Sequence, residues 1–407
     1  MLKPDITDRM PELVMGVRNY ASLEACKDHA DAVYFSLDRF SLRARACDIT
    51  DDNIGQFVDT VKSDGLRAYL TLNTVIYPDD LPALDEVIQL ASSSGVDAIV
   101  AWDPAVIMRA IENDIDVHIS TQANVSNAET VDFYGSLGAS RVVLSRELTL
   151  GQIRTIRQNT GVELEVFVHG AMCQAISGRC YLSAYLLGRS GNCGECAQPC
   201  RWGWSLVGDD GSVVKIDGKY LLSARDLCMI EHIPELVEAG VDAFKVEGRL
   251  RDSRYTSCVS RCYSQAIDAC RDGEYTPEKA RDWKTQLAGV FNRGFSTGFY
   301  FGNPGPDGLS TDQEMNVSDV KKVAVGVVTN YYPKVGAAAV NLRESHLQLG
   351  DEILIEGKTT YLEQEVGSLL SDSIPVTRAE KGQEIGLAMD GKVRENDTVF
   401  RLEHMDE

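Results

Sequence analysis

Gly95-Val96-Asp97-Ala98-Ile99-Val100-Ala101 is a turn that runs into a short apolar strand, and the phrase returns at Ala30-Asp31-Ala32-Val33 and Gly240-Val241-Asp242-Ala243-Phe244. Across the first 250 residues, β-rich runs stand at Leu13–Gly16, Ala32–Phe35, Ala68–Asn73, Ala98–Ala101, Val117–Ser120, Val142–Ser145, Leu164–Val168 and Ala243–Val246. Amphipathic helical patterns fill the intervals, as in Leu81–Ser92, Ala128–Leu137 and Leu150–Gln158. Strand–helix alternation implies parallel strands joined by crossovers. Eight such units predict an α/β fold, a (β/α)8 TIM-like barrel. A doubly wound open sheet is the runner-up, but no Gly-x-Gly-x-x-Gly fingerprint follows the first strand.

The interval between the seventh and eighth strands is too long for a simple crossover and holds a Cys-rich insertion at 170–220, inside a barrel domain of 1–303. A Gly, Pro, Ser and Asp-rich stretch marks a linker at 304–319. Residues 320–407 then read as short strands spaced by turns, a small β-barrel domain. Its phrases Leu349-Gly350-Asp351-Glu352-Ile353 and Gly382-Gln383-Glu384-Ile385-Gly386-Leu387 resemble the second domain of translation elongation factors.

The 407 residues carry 40 Lys and Arg against 61 Asp and Glu, a net charge of −21 that excludes a broad, non-specific nucleic-acid surface but not a local basic cleft. No run reaches the ~18 apolar residues of a membrane span, and residues 1–8 lack the apolar core of a signal peptide, so no membrane partner and a cytoplasmic location are expected. In a reducing compartment, clustered thiols bind metal or do redox chemistry more often than they form disulfides. Cys26, Cys47, Cys228, Cys258, Cys262 and Cys270 lie scattered and read as small core residues. Cys173, Cys180, Cys193, Cys196 and Cys200 are different, five thiols in the insertion. The wide gap from Cys173 to Cys180 does not make a zinc knuckle, so the spacing favours a [4Fe–4S] cluster over zinc.

In a barrel, functional groups gather where strands end at the carboxyl face. Tyr34, Asn73, Asp103, Gln122, Arg146, Glu147, His169, Glu247 and Arg249 all fall there. Arg39, Arg43, Arg45, Arg179, Arg201, Arg249 and Arg251 lie in mouth loops, where guanidinium groups grip phosphate or carboxylate, or else make surface ion pairs. Tyr34, Trp102, Tyr181 and Trp202 offer faces on which a splayed base stacks, against a competing reading as core. Alternation puts Glu165 and His169 on one face of the seventh strand, with a proton-transfer role open to His169. Lys245 and Glu247 are two apart on the eighth, as catalytic groups or as a buried structural pair.

Glu165-x-Phe167-x-x-Gly170-Ala171-Met172-Cys173 with Ser177-Gly178-Arg179-Cys180-Tyr181-Leu182-Ser183 resembles the signature of the peptidase U32 family. The likeness extends through Ser41–Arg45, Val143–Leu148, Lys245-Val246-Glu247-Gly248-Arg249 and Arg293-Gly294-Phe295-x-Thr297-Gly298, and is greatest to the family's tRNA-hydroxylation branch. The resemblance implies a [4Fe–4S] cluster on Cys173, Cys180, Cys196 and Cys200, with Cys193 extra. It also implies hydroxylation of the tRNA wobble uridine to 5-hydroxyuridine, with prephenate as small-molecule oxygen donor. Catalytic candidates are then His169, Glu165, Glu247 and Lys245; binding candidates are Arg43, Arg45, Asn73, Gln122, Arg146, Arg179 and Arg249. Two departures stand out: Met15-Gly16-Val17-Arg18 replaces the usual Ser/Ala-Pro-Ala-Gly turn, and an insertion between Trp204 and Tyr220 is lacking. The alternatives are a peptidase, although His-Glu-x-x-His and Gly-x-Ser-x-Gly are both missing, and a non-catalytic cluster-bearing subunit of a hydroxylase complex with a protein partner.

Overall fold

The computed structural model describes residues 10–42, 48–214, 220, 222–310 and 316–404. Eight parallel strands close on themselves: β1 (Glu12–Gly16), β2 (Ala32–Phe35), β3 (Arg67–Leu72), β4 (Ala98–Ala101), β5 (Asp116–Ile119), β6 (Arg141–Val143), β7 (Glu163–Gly170) and β8 (Ala243–Val246). Each pairs with the next, and β8 pairs with both β7 and β1 to complete the barrel. The repeated aspartate explains its own recurrence. Asp31, Asp97 and Asp242 each accept the amide of a residue on a neighbouring strand, Leu13 at 2.7 Å, Ala68 at 2.7 Å and Leu164 at 2.8 Å. Each returns its own amide to the carbonyl of that same residue. Strand starts are thereby pinned in register.

Helices cover the outside, their apolar stripes set by the 3.6-residue period. Ile54, Phe57, Val58 and Val61 are the buried face of the helix Ile54–Ser63. Asp103, Thr149 and Asp252 cap the helices Pro104–Glu112, Leu150–Asn159 and Ser253–Arg271 through their side chains. The main core lies between strands and helices, whereas a second cluster of Val14, Ala32, Tyr34, Tyr69, Ala98, Val100 and Ala243 fills the barrel itself. Alanines on β2, β4 and β8 leave room there for two tyrosines and a column of charged side chains.

A short strand, Asp226–Cys228, runs antiparallel to the end of β7 and carries Phe295–Ser296 on its other side. Two residues of the linker stretch pack back on this edge: Leu309 bridges Ala224, and Ser310 is buried with its amide on the Ser223 carbonyl. Beyond it, eight antiparallel strands between Val320 and His404 form one sheet with its own core, including Val325, Val340, Ile353, Ile385 and Val399. Lys322 ties the two parts together, reaching Glu356 at 2.6 Å and Asp252 at 3.4 Å. Among the described residues no helix is long and apolar enough to cross a membrane.

Candidate functional site

The barrel interior is a column of alternating charge. Arg67, at the amino-terminal face, holds Glu12 at 2.7 Å, and the Glu12 carboxylate also accepts from the Tyr69 hydroxyl at 2.8 Å. Arg141 bridges Glu12 at 2.6 Å and Glu165 at 3.2 Å, and Lys245 meets Glu165 at 2.6 Å. Burial works against the charged form of Glu165, yet Lys245 and Arg141 outweigh it and hold the carboxyl down at about 2. Burial pulls the Lys245 ammonium below its usual value against the opposing charge of Glu165. Lys245 also sits 4.1 Å above the centre of the Tyr34 ring, a contact that favours its cation.

Above the column, strand ends and insertion enclose a cavity of about 380 Å³. From the barrel come Tyr34, Thr71, Asn73, Gln122, Arg146, Glu147, Phe167, Lys245, Glu247 and Arg249. Arg249 is anchored on Ser36, Thr71 and Ser41 at 3.0, 3.1 and 3.3 Å, with Glu247 at 3.5 Å. Arg146 lies 3.8 Å over the Phe167 ring and donates to the Ala171 carbonyl at 2.9 Å. Gln122 accepts from the Asn73 amide at 3.3 Å, and Asn73 accepts from the Leu42 amide at 3.1 Å. Close backbone approach shapes the rim. Gly170 has φ of 106°, and a Cβ there would stand 2.6 Å from the Glu247 carbonyl oxygen. A Cβ on Gly16 would lie 2.8 Å from the Tyr34 hydroxyl, which accounts for glycine in the altered first turn.

The insertion supplies the other wall. Cys173, Cys180, Cys196 and Cys200 line the cavity. The amides of Ala175, Leu182 and Gln198, each two residues after a cysteine, donate to the sulfurs of Cys173, Cys180 and Cys196 at 3.5, 3.3 and 3.4 Å. Hydrogen bonds of this kind to cysteine sulfurs tune a bound cluster. Burial raises the Cys200 thiol, Arg201 lowers it, and the charges of Cys173, Cys196 and Cys180 raise it further, so the four sulfurs share one electrostatic neighbourhood. No three His, Cys, Asp or Glu side chains among the described residues converge as they would around a single metal ion. A four-iron cluster is larger, and this set of thiols with backbone donors fits its chemistry. Cys193 is not part of the cavity wall; its sulfur lies 3.8 Å from the Tyr77 hydroxyl.

Several expectations are corrected. The register of β7 against β8 shifts between Lys245 and Val246, so that Phe167 faces Lys245 and His169 faces Val246. One extra residue in a strand reverses which side the following side chains take. Glu165 therefore points into the barrel while His169 turns outward, among Tyr255, Tyr263 and Phe295, with Nδ1 3.3 Å from the Tyr263 hydroxyl. It does not reach the mouth. Arg201 does not grip a ligand either: it is buried and donates to the carbonyls of Met172 and Ala224 and to Ser223, fastening the insertion to the barrel. Arg251 pairs with Asp226 at 3.5 Å and covers Phe291, and Arg39 pairs with Asp51. Arg179 lies 4.4 Å over the Trp102 ring at the cavity rim. Tyr34 is buried under Lys245 and Arg249, unavailable for stacking. Arg43, Arg45 and Cys47 lie outside the described residues. Cys26, Cys228, Cys258 and Cys262 are buried, in keeping with core roles, and Cys270 is half-buried. Sequence reasoning passed over Arg141 and Glu12; the available signal was a charged residue of inward parity in an otherwise apolar strand.

Burial presses the His169 imidazole down to about 3. The unfolded side chain takes up its proton near 6.5, so the stability conferred by neutral His169 is complete above that pH and is lost as pH falls towards 3. From pH 6.5 to 5 the loss should be about 2 kcal/mol from this one group. Urea unfolding at several pH values checks it: His169→Phe should show a shallower pH slope than the wild type, and an unchanged slope would contradict the assignment.

This is a (β/α)8-barrel protein whose mouth is walled by a cysteine-bearing insertion and floored by buried cations. The family model for peptidase family U32 matches residues 19–309, and the chain belongs to that family. It is 42% identical over 405 residues to an uncharacterized protease of Methanocaldococcus jannaschii, covering 97% of this chain and 98% of that one. It is 38% identical over 411 residues to a collagenase of Porphyromonas gingivalis, covering 97% and 99%. It is 32% identical over 361 residues to tRNA hydroxylation protein P1 of Bacillus subtilis, covering 86% and 84%.

Proposed function

We propose that this protein is an iron–sulfur-dependent RNA hydroxylase that converts the wobble uridine of tRNA to 5-hydroxyuridine, with prephenate as oxygen donor. The observation that carries the reading is one enclosure shared by two kinds of wall, thiols on the insertion and cations on the barrel. Cys173, Cys180, Cys196 and Cys200 would hold a [4Fe–4S] cluster, which supplies one-electron chemistry when bound. Lys245 and Arg249, both buried and fixed by neighbours, orient the carboxylates of a small dianionic donor, and Arg146 closes on it from the side. Glu247 and Glu147 stand on the same wall as groups to hold or accept a proton. Arg201 keeps the insertion down over the mouth and water out. The name of the B. subtilis relative supports RNA as the substrate.

The protease names of two relatives favour a second reading, peptide hydrolysis. None of the described histidines lines the cavity, so a thiol nucleophile there has no imidazole base. Nucleoside analysis of tRNA from cells lacking this protein separates the readings. Loss of 5-hydroxyuridine and its derivatives, restored by the wild-type chain alone, is the expected result. Unchanged nucleosides together with peptide cleavage by the purified protein would overturn it, and restoration only with a second chain present would make this a subunit of a complex.

A further inference from the structure

Four aromatic rings in and beside the insertion stand largely in solvent. Tyr185 is 87% exposed and Tyr181 68%, and their rings meet edge to face with centroids 6.1 Å apart. Tyr77, 53% exposed, has its hydroxyl 3.8 Å from the sulfur of Cys193 in the insertion. Trp202, 42% exposed, stacks on Trp204 at 6.2 Å with ring planes 19° apart. Leu182 and Ser183, which follow Tyr181 in the chain, line the cavity, so the short helix Leu182–Leu187 that carries Tyr185 forms part of its wall. A soluble chain that leaves its flattest apolar faces in water around one opening has a use for them.

Electrostatics decides what kind of use. The whole chain carries −21, a field that opposes phosphate. Residues 171–204 depart from it: Arg179, Arg189 and Arg201 against Glu195 alone, a local net of +2. Arg201 is buried and committed to the fold, which leaves Arg179 and Arg189 to meet solvent. Two cations neutralise few phosphates, so little affinity comes from counterion release. Resting on the RNA reading above, we infer that this protein holds single-stranded RNA chiefly by stacking unpaired bases on Tyr181, Tyr185 and Trp202 at the cavity rim, with Arg179 and Arg189 as its few phosphate contacts. Base–aromatic stacking tolerates an acidic protein because each base has a π-face whatever its neighbours' charge. It also selects loops over duplexes, whose bases are already stacked on one another. A base lifted from the loop then has the cavity of about 380 Å³ directly beneath it.

The test is binding of a fluorescently labelled, unmodified tRNA anticodon stem–loop to the anaerobically prepared full-length protein, measured by anisotropy across salt, with a duplex of equal length for comparison. The expected result has three parts. Affinity for the loop falls by about sevenfold or less between roughly 50 and 200 mM salt, far below the thousandfold loss of a phosphate-clamping protein. Tyr181→Ala with Tyr185→Ala weakens binding by about a hundredfold, whereas Tyr181→Phe with Tyr185→Phe binds as the wild type does. Duplex RNA binds poorly to all of them. Iron content and circular dichroism of each variant show whether the change next to Cys180 has disturbed the fold, and Trp202→Ala, remote from Tyr185 in sequence, provides a second reading if it has. A steep salt dependence, or full affinity in the alanine variants, overturns the stacking surface while leaving RNA hydroxylation standing. No binding of any RNA by the wild type overturns both, and self-association or a protein partner lost on the same alanine substitutions would assign the rim to protein contact instead.

Discussion

Cys196→Ala is expected to purify anaerobically with little iron or sulfide and to leave tRNA unhydroxylated, while Cys193→Ala keeps both near the wild-type level. The contrast rests on position alone, since the two thiols are three residues apart. Cys196 lines the cavity and accepts the Gln198 amide, whereas Cys193 is directed to Tyr77 outside it. In the proposed four-thiolate site, removing one ligand would leave an iron without its protein anchor and make the cluster labile. Iron and sulfide per chain, with visible and EPR spectra before and after reduction, decide the matter. Equal iron in both variants, or zinc in the wild type, would end the cluster assignment and with it the redox mechanism.

The second large effect is on stability. Lys245→Met should cost about 3–5 kcal/mol, because it strands the Glu165 carboxylate in the barrel with one remaining cation, Arg141. Glu165→Gln in the same chain removes the stranded charge, so the double variant should be clearly more stable than Lys245→Met alone. Both variants should lose hydroxylation, since Lys245 leaves the cavity floor in each. Urea unfolding of the four chains of this cycle measures the coupling. Simple additivity of the two single changes would show that the pair does not act as a unit and that the interior column contributes little to holding Lys245 in place.

The strand positions were legible because a barrel strand buried on both faces is a local apolar run bounded by turns, and Ala32–Phe35, Ala98–Ala101 and Ala243–Val246 stand where the pattern puts them. The insertion was legible for a different reason: five thiols within 28 residues are a local pattern that points to metal or redox chemistry. Within the linker stretch, Ser310 packs against the barrel edge through a backbone hydrogen bond to Ser223, a contact that no residue type announces.

The barrel, the approximate places of its strands and the membership in the U32 family could be read from the chain alone, because each depends on patterns within a few residues of each other, although five of the eight strands begin or end a residue or two from where the pattern puts them. Spacing left five candidate thiols; the family resemblance singled out four, and the folded chain puts those same four on one wall while Cys193 turns to Tyr77. Only the tertiary structure turned His169 out of the mouth, because a one-residue shift in pairing between β7 and β8 reverses every side chain after it. The charged column belongs with these: Glu12, Arg141, Glu165 and Lys245 lie on four strands, and their ion pairs exist only once the barrel has closed and brought those strands into register.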